Sequence, residues 1–269
     1  MKIVFRKRQI QVDTVDKKIL FSLLKDGRTP QRQIAKEIGI SAQTLNYRMT
    51  KMIEEGIIVG FTVHINSRIL GKVEAFAAYV SDQEIESGYF TRLKCLEKIT
   101  LYGFDGDTVD EVEKKIEDAA LKLGQPVMKY RPEINSYSGN SKNIDFQIID
   151  QLRKTPRAKI SEIAKALDMP VIRIKRRYNF LRKSHLVAVM AKIDLSKTDV
   201  VIFSIFTTDQ EKIEHILEDV TIFKITDNNT GVFICFAENM VSARALINSS
   251  REAEKKSEVM VIYDYEFIH

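Results

Sequence analysis

Residues 16–40 read DKKILFSLLKDGRTPQRQIAKEIGI, and residues 145–169 read DFQIIDQLRKTPRAKISEIAKALDM. The two stretches align without a gap when the chain is shifted by 129 positions. Identical residues include Asp16/Asp145, Ile19/Ile148, Leu23/Leu152, Arg28/Arg157, the triplets 34–36/163–165 and, farther along, Arg48/Arg177. Because both the apolar spacing and the turns are shared, the match predicts an internal duplication.

The first copy contains three runs of apolar residues at helical spacing. We expect a first helix that ends at Asp26-Gly27, a second that ends at Gly39 and a third that begins at Ser41. A short spacer with a glycine between the second and third helices is typical of a helix-turn-helix. The β-branched and aromatic residues 57–63 then predict the short hairpin of a wing.

The third helix of each copy is predicted to present polar side chains outward. In the first copy its inward residues would be Leu45, Met49, Met52 and Ile53, and its outward residues Gln43, Thr44, Asn46, Tyr47, Arg48 and Lys51. In the second copy, residues 170–183 carry six basic residues and no acidic one, and the outward residues would be Arg173, Lys175, Arg176 and Arg177. Amide, hydroxyl and guanidinium groups near the start of such a helix reach base edges, and further cations neutralise phosphates. All these outward residues are therefore predicted to bind DNA.

The alternative interpretation of these residues is an ordinary solvated helix face. Such a face normally mixes charges of both signs, whereas six cations on one helix repel one another unless a polyanion is bound. The net charge also alternates along the chain, at +7 over residues 1–81, −5 over 82–124, +10 over 125–198 and −7 over 199–269. Double-stranded DNA is thus the expected partner of the basic parts, and the acidic parts are expected to have another role.

Each basic part is followed by a segment with the pattern of a small α/β sandwich. In residues 199–269 the pattern predicts strands at 200–207, 221–226, 231–237 and 259–267, and helices at 209–219 and 241–255. This βαββαβ order is ferredoxin-like. In the first copy it predicts strands at 76–80, 99–104 and near 127–131, with helices within 83–97 and at 109–123. The third strand is missing from that set, so the first sandwich is predicted to be truncated.

The predicted fold class is α+β, with four domains. They are a winged helix-turn-helix at 1–72, a degenerate ferredoxin-like domain at 73–135, a second winged helix-turn-helix at 136–198 and a second ferredoxin-like domain at 199–269. Because a ferredoxin-like sheet leaves one face to be covered, the two copies are expected to pack on each other within one chain.

Several short motifs of the first copy are similar to those of a known protein family. They are Val12-Asp13-x-x-Asp16, Lys25-Asp26-Gly27-Arg28, Ile34-Ala35, Ile38-Gly39-Ile40-Ser41 and Glu55-Gly56-Ile57-Ile58-x-Gly60-Phe61-Thr62. Together they resemble the N-terminal winged helix of the Lrp/AsnC (feast/famine) transcription regulators. The resemblance is weaker over 144–198, where Gly39 becomes Asp168 and Ser41 becomes Pro170. It implies a DNA-binding transcription regulator that is not an enzyme and that forms homodimers or higher oligomers. Many members of the family bind an amino-acid-like effector, so the resemblance also implies such an effector here, and we assign no residues to it.

Other chemistry is weakly represented in the sequence. Cys95 and Cys235 are expected to be reduced packing residues, and the four histidines share no ligand-like spacing, so neither a metal site nor a cofactor is predicted. No apolar stretch approaches the roughly 20 residues of a membrane span, which favours a cytoplasmic protein. Siroheme decarboxylases resemble the same architecture and bind a tetrapyrrole with His and Arg side chains, so such an enzyme is the alternative function. A third possibility is a scaffold whose winged helices bind protein.

Overall fold

The computed structural model describes residues 12–132, 142–226 and 229–268 of the chain. The N-terminal residues 1–11, the predicted domain boundary at 135/136 and Asp227-Asn228 of one predicted turn lie outside the described residues. No helix in the described parts is both long enough and apolar enough to cross a bilayer.

The first winged-helix unit, called the first head, has the three predicted helices and one strand. They are α1 (Thr14–Lys25), α2 (Gln31–Ile38), α3 (Ala42–Glu54) and β1 (Ile58–Ile65). Gly39 ends α2 with a left-handed φ of 81°, and the Ser41 hydroxyl accepts a hydrogen bond from the Thr44 N–H at 3.0 Å. The inward position predicted for Ile53 is wrong, since this side chain is 49 % exposed. Leu45, Met49 and Met52 already form the buried seam of α3 at helical spacing.

The first ferredoxin-like unit, called the first module, follows the first head. It comprises β2 (Val73–Val80), β3 (Thr91–Cys95), β4 (Ile99–Gly106), α4 (Val109–Leu123) and β5 (Met128–Tyr130), with the strand order β5-β2-β4-β3. This module is truncated as predicted, but the missing element is its first helix and not its third strand. Residues 82–88 contain one apolar side chain, Ile85, which cannot form the buried stripe of a helix. Tyr89 and Phe90 are buried just before β3 instead.

The second head repeats the first. It comprises α5 (Asn143–Lys154), α6 (Ile160–Ala166), α7 (Val171–Lys183) and β6 (Val187–Ile193). Asp168 and His185 have left-handed φ values of 50° and 53°, at the positions where the first head has Gly39 and Gly56. The backbone of the turns is therefore kept although the residues that favour it are replaced.

The second module has the complete predicted order of elements. It comprises β7 (Val201–Thr207), α8 (Gln210–Leu217), β8 (Thr221–Thr226), β9 (Gly231–Ala237), α9 (Met240–Ala253) and β10 (Glu258–Phe267). Its strand order, β10-β7-β9-β8, matches that of the first module position by position. The fold is α+β, with two winged heads that are each followed by a ferredoxin-like module.

The wings do not form the hairpins that the sequence predicts. Instead, β1 of the first head pairs antiparallel with β6 of the second, with Phe61 opposite Ala191 and Thr62 opposite Met190. Phe61 and Met190 are equivalent positions of the repeat, as are Thr62 and Ala191. A pseudo-two-fold axis that relates the two wings therefore passes between these two pairs. Each wing strand offers an unpaired edge, and pairing the two satisfies the backbone groups of both.

The two modules share one sheet of eight strands in the order β5-β2-β4-β3-β10-β7-β9-β8, joined where β3 pairs with β10. Their inner faces share one core with α1–α3 of the first head. The ring of Tyr130 lies 5.5 Å from that of Phe206, and Phe21 of α1 lies 5.2 Å from Phe236. Helices α4, α8 and α9 cover the outer faces. The two copies thus pack on each other within one chain, as predicted.

Candidate nucleic-acid interface

The outer face of α3 carries most of the predicted DNA-binding residues. Its exposed members are Gln43, Thr44, Asn46, Tyr47 and Lys51. Tyr47 is 68 % exposed, so most of its side chain faces solvent. The structure therefore brings amide, hydroxyl, phenol and ammonium groups together on one solvent-facing side of α3.

Arg48 does not lie on that outer face. Its Nη1 atom is 2.7 Å from Asp13 Oδ2 and 2.9 Å from Asp16 Oδ1, both at the start of α1. These hydrogen bonds raise the pKa of Arg48 above its ordinary value. Burial opposes ionisation of Asp13, but the Asp16 N–H and the Arg48 guanidinium lower the pKa of this carboxyl overall. The outward orientation predicted for Arg48 is therefore wrong, because α1 presents two carboxylates within its reach.

Arg177 makes the equivalent contact in the second head. Its Nε donates to Asp145 Oδ1 at 2.8 Å, its Nη2 donates to Asp145 Oδ2, and its guanidinium lies over the Phe180 ring. Asp145 is fully buried, so this ion pair forms inside the head. The outward orientation predicted for Arg177 is wrong for the same reason as that of Arg48. Both pairs hold the third helix of a head against its first helix.

The rest of α7 presents cations to solvent. Arg173, Lys175 and Arg176 are exposed, and none of them forms an ion pair with a residue in the described ranges. At the start of the helix, Ile172 is 74 % exposed. The helix begins after Pro170 without a side-chain cap, whereas Ser41 caps α3 at the equivalent position. The exposed part of α7 is thus more basic and less varied in polar groups than that of α3.

Direct contacts join the two heads beside the paired wings. Arg28 donates from Nη1 to the Pro156 carbonyl at 2.7 Å and lies 4.9 Å from the Tyr178 ring centre. Arg157, its repeat equivalent, lies 4.6 Å from the ring centre of Phe61, and burial and the charge of Arg28 lower the pKa of Arg157. The sequence showed Arg28 and Arg157 as an identical pair of the repeat, but it did not indicate this role.

A second set of contacts anchors the first head to the segment that leads into the second module. Lys197 Nζ donates to the carbonyls of Glu55 and Gly56 at the end of α3, at 3.1 and 3.3 Å. Lys17 of α1 pairs with Asp199 at 2.6 Å. A cation at a helix C-terminus is favoured by the helix dipole, so Lys197 stabilises the end of α3. Sequence reasoning missed both contacts because the partners are more than a hundred residues apart.

Little else in the described residues suggests a reactive or ligand-binding site. They contain no group of three or more His, Cys, Asp or Glu residues that could hold a metal ion. Cys95 and Cys235 are buried, and burial raises the pKa of each thiol to about 12, which makes them poor nucleophiles.

A small pocket lies between α1, β6 and the inner sheet faces. Its lining includes Leu24, Met190 and Tyr265, and its other lining residues are leucine, isoleucine and phenylalanine. The hydroxyl of Tyr265 already accepts a hydrogen bond from the Ile193 N–H at 2.9 Å. The pocket is therefore apolar over its whole described lining.

Comparisons with known proteins bear on both heads. Residues 12–59 and 142–188 each match the family of winged helix-turn-helix DNA-binding domains. The chain is 47 % identical over 60 residues to the regulatory protein AsnC of Haemophilus influenzae, a match that covers 22 % of this chain and 40 % of AsnC. It is also 47 % identical over 60 residues to the HTH-type transcriptional regulator LrpA of Pyrococcus horikoshii, covering 22 % of this chain and 43 % of LrpA. The matches thus span less than half the length of these relatives.

Among solved structures, the siroheme decarboxylase NirDL is similar with a TM-score of 0.49 and 14 % identity, over 96 % of this chain and 93 % of that protein.

The family matches fall on the two units whose three helices, turns and wing strands are described above. The matched relatives are named as regulators of the AsnC and LrpA kinds. The chain therefore contains two units that match winged helix-turn-helix DNA-binding domains, and over about 60 residues it is similar to regulators of the AsnC and LrpA kinds.

Proposed function

We propose that the chain is a sequence-selective transcription regulator that binds double-stranded DNA and catalyses no reaction. The observation that carries this proposal is the presence of two exposed third helices, α3 and α7, on heads whose wings are related by a pseudo-two-fold axis. In winged and other helix-turn-helix proteins, paired heads place such helices at two half-sites of a duplex. The winged-helix family match and the named relatives support it.

The exposed residues on the two helices would divide between bases and phosphates. Gln43, Thr44, Asn46 and Tyr47 carry hydrogen-bonding groups that suit base edges or the backbone, and Lys51, Arg173, Lys175 and Arg176 would neutralise phosphates. Arg48 and Arg177, also predicted to bind DNA, would act by positioning α3 and α7. Occupancy of a promoter would then block or recruit the transcription machinery in the cytoplasm.

Binding of labelled duplexes at increasing salt concentration tests the proposal. We expect tight binding to promoter fragments in dilute buffer, with an affinity that falls steeply as salt rises, because condensed counterions are released from the duplex. Absence of binding in dilute buffer would contradict the proposal. Adding siroheme to the same preparation, with its absorption spectrum recorded, tests the enzymatic alternative directly, and we expect no shift of the tetrapyrrole band.

The resemblance to Lrp/AsnC regulators suggests two further partners, a second copy of the chain and a small-molecule effector. Among the described residues, β5 and β8 are the two edge strands of the eight-stranded sheet. We propose that pairing at these edges supports a homodimer or higher oligomer of the chain. Light scattering after gel filtration measures that state. We also propose an amino-acid-like effector, whose binding would raise the unfolding temperature in a screen of free amino acids.

A further inference from the structure

The exposed residues of α3 and α7 differ, although the residues that hold each helix in its head are equivalent. At the offset of the repeat, Arg48 and Arg177 are identical and make equivalent ion pairs, and Leu45 and Ile174 are both buried. The exposed positions pair as Gln43/Ile172, Thr44/Arg173, Asn46/Lys175 and Tyr47/Arg176. No exposed pair in this set is conservative, so the two helices offer different chemistry from the same place on each head.

The polar groups of α3 suit the reading of base sequence. The amides of Gln43 and Asn46 each combine a donor with an acceptor, and this combination matches the adjacent donor and acceptor of an adenine in the major groove. Ser41 and Thr44 hydrogen-bond each other at the start of α3, and Lys197 holds its end. Side chains that must meet base edges within hydrogen-bond distance need a support of this kind.

The exposed groups of α7 suit the DNA backbone instead. Arg173, Lys175 and Arg176 are donors only, and they lie close together without an ion-paired acid among the described residues. Ile172, the apolar counterpart of Gln43, offers no hydrogen bond to a base. Clustered cations gain affinity from any phosphate they approach, whatever the sequence.

We propose that one chain binds a duplex with two unlike half-sites, in which α3 selects the base sequence of one half and α7 clamps the backbone of the other. This inference rests on the proposed DNA binding. The pairing of β1 with β6, the Arg28 contact to Pro156 and the ion pair of Arg182 with Asp26 at 2.9 Å hold the heads in one arrangement. The second half-site must therefore be present at a set distance, although its sequence is free.

A selection from a random-sequence duplex library with the whole chain, followed by replacement of each base pair in turn, tests this division. We expect losses of about 5- to 150-fold per replaced base pair within one half-site. Replacement of the other half-site should change the affinity less than twofold, whereas its deletion should abolish most of the binding. Losses of similar size in both half-sites would overturn the inference.

Matched single variants separate the two roles. Asn46→Ala should weaken binding to the selected duplex and leave binding to a scrambled duplex unchanged. Arg176→Gln should weaken both equally and reduce the slope of log affinity against log salt by about 0.9. Both residues are exposed, and an unchanged unfolding temperature shows that each variant is folded. Equal loss on both duplexes for Asn46→Ala would count against the assignment of α3.

A graft of the α3 residues onto α7 gives the inference its sharpest test. The variant carries Ile172→Gln, Arg173→Thr, Lys175→Asn and Arg176→Tyr. Because a pseudo-two-fold axis relates the wings, its selected site should become an inverted repeat of the sensitive half-site. A selected site unchanged from that of the parent chain would overturn the inference. Failure of the parent chain to bind any duplex in dilute buffer would instead refute the proposed function.

Discussion

Arg177 and Asp145 form an ion pair in which one guanidinium donates twice to one fully buried carboxylate, with Nε 2.8 Å from Oδ1. The pair links α7 to α5 across the second head. Arg48 and Asp16 form the equivalent contact in the first head at 2.9 Å, but there the acid is partly exposed and Asp13 shares the arginine. The duplication has therefore preserved an internal contact more faithfully than the outer faces of the same helices.

Replacement of Arg177 is expected to destabilise the chain strongly. Arg177→Ala leaves the Asp145 carboxylate buried without its partner, and breaking a buried pair in this way costs about 3–5 kcal/mol. Arg48→Ala should cost about 1 kcal/mol or less, because water reaches Asp13 and Asp16. Urea unfolding measures both changes, and Arg176→Ala on the exposed face is the matched control with little expected effect. Equal losses for Arg48→Ala and Arg177→Ala would refute the difference in burial as the cause.

Salt dependence should separate Lys51 from Arg48 on α3. Lys51 is exposed, so Lys51→Ala should reduce the slope of log affinity against log salt by about 0.9 if it contacts one phosphate. Arg48 is held by two carboxylates, so Arg48→Ala should weaken binding through a misplaced α3 and leave the slope unchanged. Fluorescence anisotropy with one duplex at several salt concentrations gives both slopes. A flattened slope for Arg48→Ala would show that its guanidinium reaches the DNA.

Glu74 should make the stability of the chain fall as the pH rises above the ordinary titration range of a glutamate. Its side chain is buried and accepts a hydrogen bond from the Ser67 N–H at 2.8 Å. Burial raises the pKa of Glu74, although the hydrogen bonds with Ser67 and the charge of Arg68 act against the rise and Asp105 adds to it.

The folded state therefore binds this proton more tightly than the unfolded state. The corresponding stability is complete below the pKa of the unfolded chain and is lost as the pH rises through the folded pKa. Glu74→Gln keeps an acceptor for Ser67 and cannot ionise. As the pH rises from the pKa of Glu74 in the unfolded chain to its pKa in the folded chain, we expect Glu74→Gln to become increasingly more stable than the parent. Above the folded pKa the difference in unfolding free energy should be constant. A difference independent of pH would contradict the assignment.

The left-handed turn at His185 offers a test of backbone strain. A non-glycine residue at a φ of 53° is disfavoured, so His185→Gly should raise the unfolding free energy by up to about 1 kcal/mol. Gly56→His at the equivalent position should lower it by more, because φ there is 68° and because a Cβ would displace Lys197 Nζ from the carbonyls of Glu55 and Gly56. Thermal unfolding of the two variants measures the contrast. A loss of stability in His185→Gly would mean that the histidine makes a contact worth more than the strain.

Local patterns in the sequence were sufficient to predict most elements. The apolar spacing in α1–α3 and α5–α7, the stop at Gly39 and the cap at Ser41 act within a few residues, and the structure confirms them. The six elements of the second module also follow the prediction closely. The helix predicted within 83–97 is wrong because residues 82–88 supply one apolar side chain, and residues 91–95 alternate between buried and partly exposed positions as a strand does.

By itself, the sequence determined that this chain repeats a winged helix and a ferredoxin-like module, because helical and strand periodicities and turn residues are local properties of the chain. Only the tertiary structure decided that β1 pairs with β6 and β3 with β10, and that Arg48 and Arg177 turn inward. Those contacts join segments far apart in the sequence. Which strand edges pair and which carboxylates bind an arginine depends on the groups that lie close together in the folded chain. A local sequence pattern does not contain that information.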